Sequence, residues 1–139
     1  MKQVFVDTNG WIALNSKRDQ FHETALKTNK KLLKSGYHYV TTNYVLDETY
    51  TGLLTRVSHF AAVDFGEKIR ASKITNVVRI SKEVEEEAWQ IFKGYSDKQF
   101  SFTDCTSFVI MNKLSLIEVF TNDRHFQQMG FKILIRNQK

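Results

Sequence analysis

The chain has no proline and one cysteine in 139 residues. The missing proline is unusual but points to no function, and the chain also shows no repeats, no low-complexity segments and no evident linker. A lone Cys105 cannot close an intrachain disulfide, which favours a reducing, cytoplasmic setting. No apolar run is long enough to span a bilayer. The opening residues do not read as a secretory leader, because Asp7 and Asn9 interrupt the only candidate apolar stretch. Histidine is sparse: His22, His38 and His59 lack the spacing of metal ligands, and His125 in the RHF run reads first as a packing or capping residue.

What is present describes a folded globule. Hydrophobic residues make up 42% and aromatics 13%, and a chain of this length reads as one domain, residues 1–139, able to bury a core. The formal charge of +5 and pI near 9.3 favour an anionic partner without naming one.

The opening stretch organises the rest. Val4, Phe5 and Val6 form a short, unbroken β-favouring run, as expected of a strand buried on both faces. Asp7 ends it, followed by Thr8, Asn9, Gly10 and a helical pattern. A carboxylate there sits where open α/β sheets bind ligands, although capping the next helix is the ordinary use of such an Asp. The remaining pattern alternates. Helices are expected over Gln20 to Lys34, from Tyr44 to about Val57 with Asn43 as N-cap, over Phe60 to Ser72, from Ser81 through Phe92, over Thr103 to Leu114 and over Arg124 to Met129. Strands are expected over Tyr37 to Thr42, Asn76 to Ile80, Glu118 to Thr121 and Lys132 to Ile135. This predicts an α/β class, with a mainly parallel sheet of about five strands between two helical layers.

Three further acids stand out. Glu48 points away from the stripe of Leu46, Tyr50, Leu53 and Val57, alongside Tyr44, Thr51 and Thr55, so it faces either solvent or a polar crevice. Asp47 lies about 100° from it on the helix and reads as peripheral. Asp104 lies in the first turn of an apolar helix, where a negative charge is favoured and Ser101 or Thr103 caps. Asp123 follows the strand of Val119 and Phe120 and repeats the Asp7 arrangement. If all four acids converge, their repulsion calls for a hard divalent cation, and oxygen-only ligation suits Mg²⁺ or Mn²⁺. An acidic site on a basic chain is what a metal-dependent nuclease requires, with rim cations on the flanking phosphates. Lys17, Arg18, Lys98 and Arg124 are the candidates near the motifs, and each is equally read as ordinary surface charge.

Taken together, DTN at Asp7, LDET around Glu48, SFTDCTSFVIM around Asp104 and FTNDRHFQQMGF around Asp123 resemble the PIN-domain ribonuclease family. The resemblance spans nearly the whole chain and is to the VapC-like toxins of bacterial toxin–antitoxin pairs in particular. It implies a compact α/β/α fold and an Mg²⁺- or Mn²⁺-dependent endoribonuclease, restrained by an antitoxin and forming a homodimer. Asp7, Glu48, Asp104 and Asp123 match the family's acidic positions, and Asn9 and Thr121 match supporting polar ones. Asp97 is a candidate accessory acid, though a loop Asp is usually just solvated. Cys105 reads as core, and Trp11, Tyr37, Tyr39, Tyr44 and Phe60 as core or dimer surface. A phosphotransfer enzyme using Asp7 as nucleophile fits less well. Its haloacid-dehalogenase form wants an Asp where Asn9 stands, and a receiver domain wants an acidic pair after the first strand. A housekeeping RNA-processing nuclease fits the same residues as a toxin does. A non-catalytic PIN-like module that binds RNA or protein would be favoured by loss of an acid, and none is lost.

Overall fold

The structure, a computed structural model, describes residues 2–136. Its elements run β1 (Gln3–Val6), α1 (Thr8–Asn15), α2 (His22–Lys34), β2 (His38–Thr42), α3 (Asn43–Arg56), α4 (His59–Ala71) and β3 (Thr75–Val78). They continue through α5 (Lys82–Gly94), α6 (Phe102–Lys113), β4 (Glu118–Phe120), α7 (Arg124–Gln128) and β5 (Lys132–Ile133). The five strands form one sheet in the order β3-β2-β1-β4-β5, with every pairing parallel. The central strand is the opening one: Phe5 stands opposite Val40 on one side and Val119 on the other.

This order fixes where the helices go. The chain steps outward from β1 to β2 to β3, then returns to build β4 and β5 on the other side of β1. Right-handed crossovers therefore put α1 to α4 on one face and α5 to α7 on the other. Contacts of α1 with α2 and α3, of α3 with α4, and of α6 with α5 and α7 agree. The sheet reverses its winding between β1 and β4, so their carboxyl ends flank a switch point, where ligands bind in folds of this kind. Phe5, Phe108, Phe120 and Phe126 are fully buried, and each contributes about 1.5–3 kcal/mol of transfer free energy. Among the described residues, no helix is long and apolar enough to cross a membrane.

The boundaries differ from the sequence expectation in instructive places. The N-cap of α3 is Thr42, whose hydroxyl accepts the Val45 N–H (3.1 Å), not Asn43. Asn43 instead accepts the Ile80 N–H through Oδ1 (2.8 Å), and β3 stops at Val78 rather than Ile80. α2 begins at His22 rather than Gln20, and α4 at His59 behind its cap Ser58. β5 covers only Lys132–Ile133. Of the aromatics expected in the core or at a dimer surface, Trp11 and Tyr39 are buried, Tyr37 and Tyr44 half-buried, and Phe60 is 77% exposed.

Gly10 lets the first turn of α1 lie directly on the end of β4, because a Cβ there would run into the Phe120 carbonyl and ring. In an open helix, Gly→Ala stabilises by about 1 kcal/mol. Here the clash with backbone wins, and Gly10→Ala is expected to destabilise by about 1–3 kcal/mol. Gly52→Ala should be better tolerated, since its new methyl meets only the flexible end of Ile12. Urea unfolding of the two variants checks the order.

Candidate active site

Asp7 leaves β1 in extended conformation (φ −89°, ψ 166°) at the N-cap position of α1, yet its carboxylate caps nothing in that helix. It is turned into the sheet edge instead and is only 2% exposed. Oδ2 accepts a hydrogen bond from Thr121 Oγ1 (3.0 Å), and the same hydroxyl accepts the Asp123 N–H (3.2 Å). Thr121 thus ties the carboxyl ends of β1 and β4 together. Oδ1 of Asp7 is buried without a partner among the described residues. Burial, and after it the charges of Asp104 and Asp123, push the Asp7 carboxyl up to about 8, against the pull of the Thr121 hydroxyl.

Local capping places the other two strand-edge acids. At the start of α6, Ser101 Oγ accepts the Asp104 N–H (3.0 Å) while Asp104 Oδ2 accepts the Ser101 N–H (3.0 Å), a reciprocal capping box. At the start of α7, Asp123 Oδ1 accepts the His125 N–H (2.9 Å). The His125 ring then stands between the acids, with Nδ1 3.2 Å from Asp104 Oδ2 and 3.4 Å from Asp123 Oδ1, edge-on to Phe100. One ligand atom from each of Asp104, Asp123 and His125 lies within 4.8 Å of the others. Burial raises the Asp104 carboxyl above its ordinary value and Asp123 adds to this, while the Ser101 N–H and His125 oppose it.

Glu48 approaches from α3. Its side chain is exposed at the crevice wall, and Oε1 accepts a hydrogen bond from Thr8 Oγ1 (2.5 Å), one residue past Asp7. Asp7, Glu48, Asp104, Asp123 and the half-buried Asn9 all line one crevice of about 590 Å³. Thr51 and Thr55 line it as well, so the polar face of α3 turns toward the crevice. The tight three-residue cluster, however, includes neither Asp7 nor Glu48.

Several other residues fall differently from expectation. Asp47, read as peripheral, is exposed but lines the crevice too, whose width admits both neighbours on α3. Asp97 is exposed, pairs with Lys98 (3.6 Å) and does not line it. Lys17, Arg18, Lys98 and Arg124 are absent from the crevice walls, where the basic residue is Arg56 at the end of α3. Sequence reasoning missed Arg56, Thr8 and the bridging position of His125. Thr8 lies within the DTN run and His125 two residues after Asp123, so their adjacency was a signal. Arg56 had only its place on α3. Cys105 is buried, and its thiol is pushed up to about 11 by burial and by Asp104, which keeps it protonated near neutrality.

The PIN domain model matches residues 4–132, from β1 to the last strand. The 23S rRNA-specific endonuclease VapC20 of Mycobacterium tuberculosis is 37% identical over 129 residues, covering 92% of this chain and 95% of that protein. The crystal structure of Mycobacterium tuberculosis VapC20, described as a sarcin–ricin loop cleaving toxin, superposes with a TM-score of 0.83 at 36% identity, over 92% of this chain and 95% of its own. At the level of fold alone, VapBC2 from Rickettsia felis bound to a promoter DNA fragment gives a TM-score of 0.68 at 11% identity, covering 94% of this chain and 96% of that one. DNA-bound VapBC from Salmonella typhimurium gives 0.65 at 15%, covering 96% and 97%. With the match running from the first buried strand to the last, this chain belongs to the PIN-domain family.

Proposed function

We propose that this chain is an endoribonuclease that hydrolyses RNA phosphodiester bonds in the acidic crevice, and that it is the toxin of a toxin–antitoxin pair. The observation that carries the chemistry is the meeting of Asp7, Asp104 and Asp123 at the carboxyl ends of β1 and β4, with a buried Asp7 oxygen left without a partner. Such a set fits a hard divalent cation, Mg²⁺ or Mn²⁺, which offsets mutual repulsion and takes up the orphaned oxygen. Asp7, Asp104 and Asp123 would hold it, with Glu48 completing the acidic set from the opposite wall. When bound, the ion polarises a phosphoryl oxygen and acidifies water for in-line attack.

The protein's own groups prepare that chemistry. Thr121 fixes the rotamer of Asp7, the Ser101 N–H and His125 fix Asp104, and the Thr8 hydroxyl fixes Glu48, as outer hydrogen bonds do around metal sites. Asn9, on the crevice wall beside them, is assigned the same supporting role. Arg56 lines the same crevice and supplies the positive charge that a phosphodiester needs there.

Ribosomal RNA is the substrate class suggested by VapC20, which is named for cleaving 23S rRNA. An antitoxin partner is supported by the VapBC complexes among the proteins of like fold. Family resemblance supports a homodimer, and the single cysteine supports a cytoplasmic site of action.

Incubating the protein with total RNA should give discrete fragments with Mn²⁺ and none with a chelator. Asp7→Asn should fold and lose cleavage more than about 100-fold, while Thr121→Val should lose about 10–100-fold, the range typical of outer-shell partners. Undiminished cleavage by Asp7→Asn would contradict the assignment.

The pH dependence of stability follows from Asp7. Its carboxyl titrates near 8 in the fold and near 3.8 in a free chain, so the folded form retains a proton that the unfolded form releases. Without divalent ions this contribution to stability is complete below about pH 4 and is lost as pH rises toward 8. Mg²⁺ binds the ionised form, so the rise in melting temperature on adding Mg²⁺ should be larger at pH 8 than at pH 6. Asp7→Asn should flatten that difference, as read by thermal unfolding. Separately, Arg56→Ala should weaken RNA binding across sequences and lower the slope of log affinity against log salt by about 1. An unchanged slope would remove Arg56 from the phosphate path.

A further inference from the structure

The two residues flanking Asp123 turn away from the acidic crevice. Asn122 and Arg124 line a separate cavity of about 280 Å³ beside the end of β4. Its apolar walls are Phe21, from the segment before α2, together with Ile133 and Ile135. Its polar lining is Asn122, Gln127 on α7, and the guanidinium groups of Arg124 and Arg136. Among the described residues no acidic one lines it, in contrast to the crevice on the other side of Asp123. Neither arginine is in an ion pair among the described residues. Arg136 Nε donates to the Ile133 carbonyl (3.2 Å), which anchors the base of its guanidinium, and its other N–H groups have no hydrogen-bond partner among the described residues.

We propose that this cavity is a nucleobase pocket, seating the nucleotide next to the scissile phosphate and setting which RNA sequence is cut. The inference rests on the nuclease reading for the position of that phosphate, and on the cavity's own chemistry for the occupant. An aromatic ring with aliphatic walls offers a flat apolar slot, as base stacking requires. Two primary amides each present a donor and an acceptor, the pattern that reads a base edge. Two guanidiniums outside any ion pair among the described residues suit the phosphate attached to that base. A purely apolar ligand would leave these four polar groups unanswered, and a cationic one would meet the arginines. The cavity adjoins the acidic crevice along the chain itself, since Asn122 and Arg124 line it and flank Asp123, which lines the crevice.

The test is an NMR titration of the full chain, in chelator, with AMP, GMP, CMP and UMP, and with ribose 5-phosphate as the base-free probe. The expected result is movement of the Asn122 and Gln127 side-chain amide signals with the monophosphates. One base should bind at least about tenfold more tightly than the weakest, and ribose 5-phosphate should bind more weakly than any of them. Gln127 is exposed, so Gln127→Ala should fold normally and level the preference among bases. Phe21→Leu keeps an apolar side chain and should weaken all four monophosphates about tenfold while leaving ribose 5-phosphate unchanged. Monophosphates binding no better than ribose 5-phosphate, or indifferent to both substitutions, would overturn the pocket. Base-selective binding by a chain that cleaves no RNA would uphold the pocket and remove the nuclease reading, so the two failures are distinguishable.

Discussion

A carboxylate with almost no exposure, held beside two other acids, sets the terms for the whole carboxyl edge of this sheet. Asp7 is where it is because β1 is the central strand, with β2 on one side and β4 on the other. Burial at the floor of the crevice leaves it only 2% exposed. A lone ionised carboxylate so placed is disfavoured by several kcal/mol, so the group either keeps its proton or acquires positive charge nearby. Among the described residues the protein supplies the Thr121 hydroxyl and the Thr8 backbone N–H, neither of which carries a full positive charge. The imbalance is what suits the crevice to a cation, and it makes the charge of the site depend on pH.

The acids are delivered by ordinary helix-start chemistry. Asp104 is half of a capping box and Asp123 is an N-cap, so the structural and the chemical reading hold for the same side chains at once. A cap uses one oxygen, and a carboxylate has two with several lone pairs. Capping also locks the rotamer, which a preorganised site needs. Asp7 is the exception: it holds the N-cap position of α1 but gives Oδ2 to Thr121 at the sheet edge and leaves Oδ1 without a partner among the described residues.

Much of this is legible in the residues themselves. The apolar run of Val4 to Val6 reads directly as a buried strand, and the strand–acid repeat at Phe120 to Asp123 reads as its partner across the switch point. The polar face of α3 is legible from the wheel, which sets Glu48 with Thr51 and Thr55, all of which line the crevice. What stays hidden depends on contacts far apart in sequence. His125 takes its place between two acids only because the start of α6 packs beside the start of α7. Thr42 and Asn43 are both good cap formers, and the role goes to Thr42 because Asn43 is engaged by the Ile80 N–H from another strand's end. Arg56 and Asp47 cannot be placed from α3 alone, since the width of the crevice is set by the other wall. The basic residues near the motifs in sequence, Lys17, Arg18, Lys98 and Arg124, do not line the crevice.

The short α7 carries an unusual load for its five residues. Asp123 at its cap and His125 in its first turn belong to the crevice, while Gln127 reaches the neighbouring cavity. The acidic crevice and the neighbouring cavity therefore share one short helix, and any rotation of that turn re-aims the side chains of both. Phe21, on the opposite wall and outside α7, is a lining residue that can change without disturbing that turn, whereas Ile135 is core and its N–H is held by the Thr121 carbonyl.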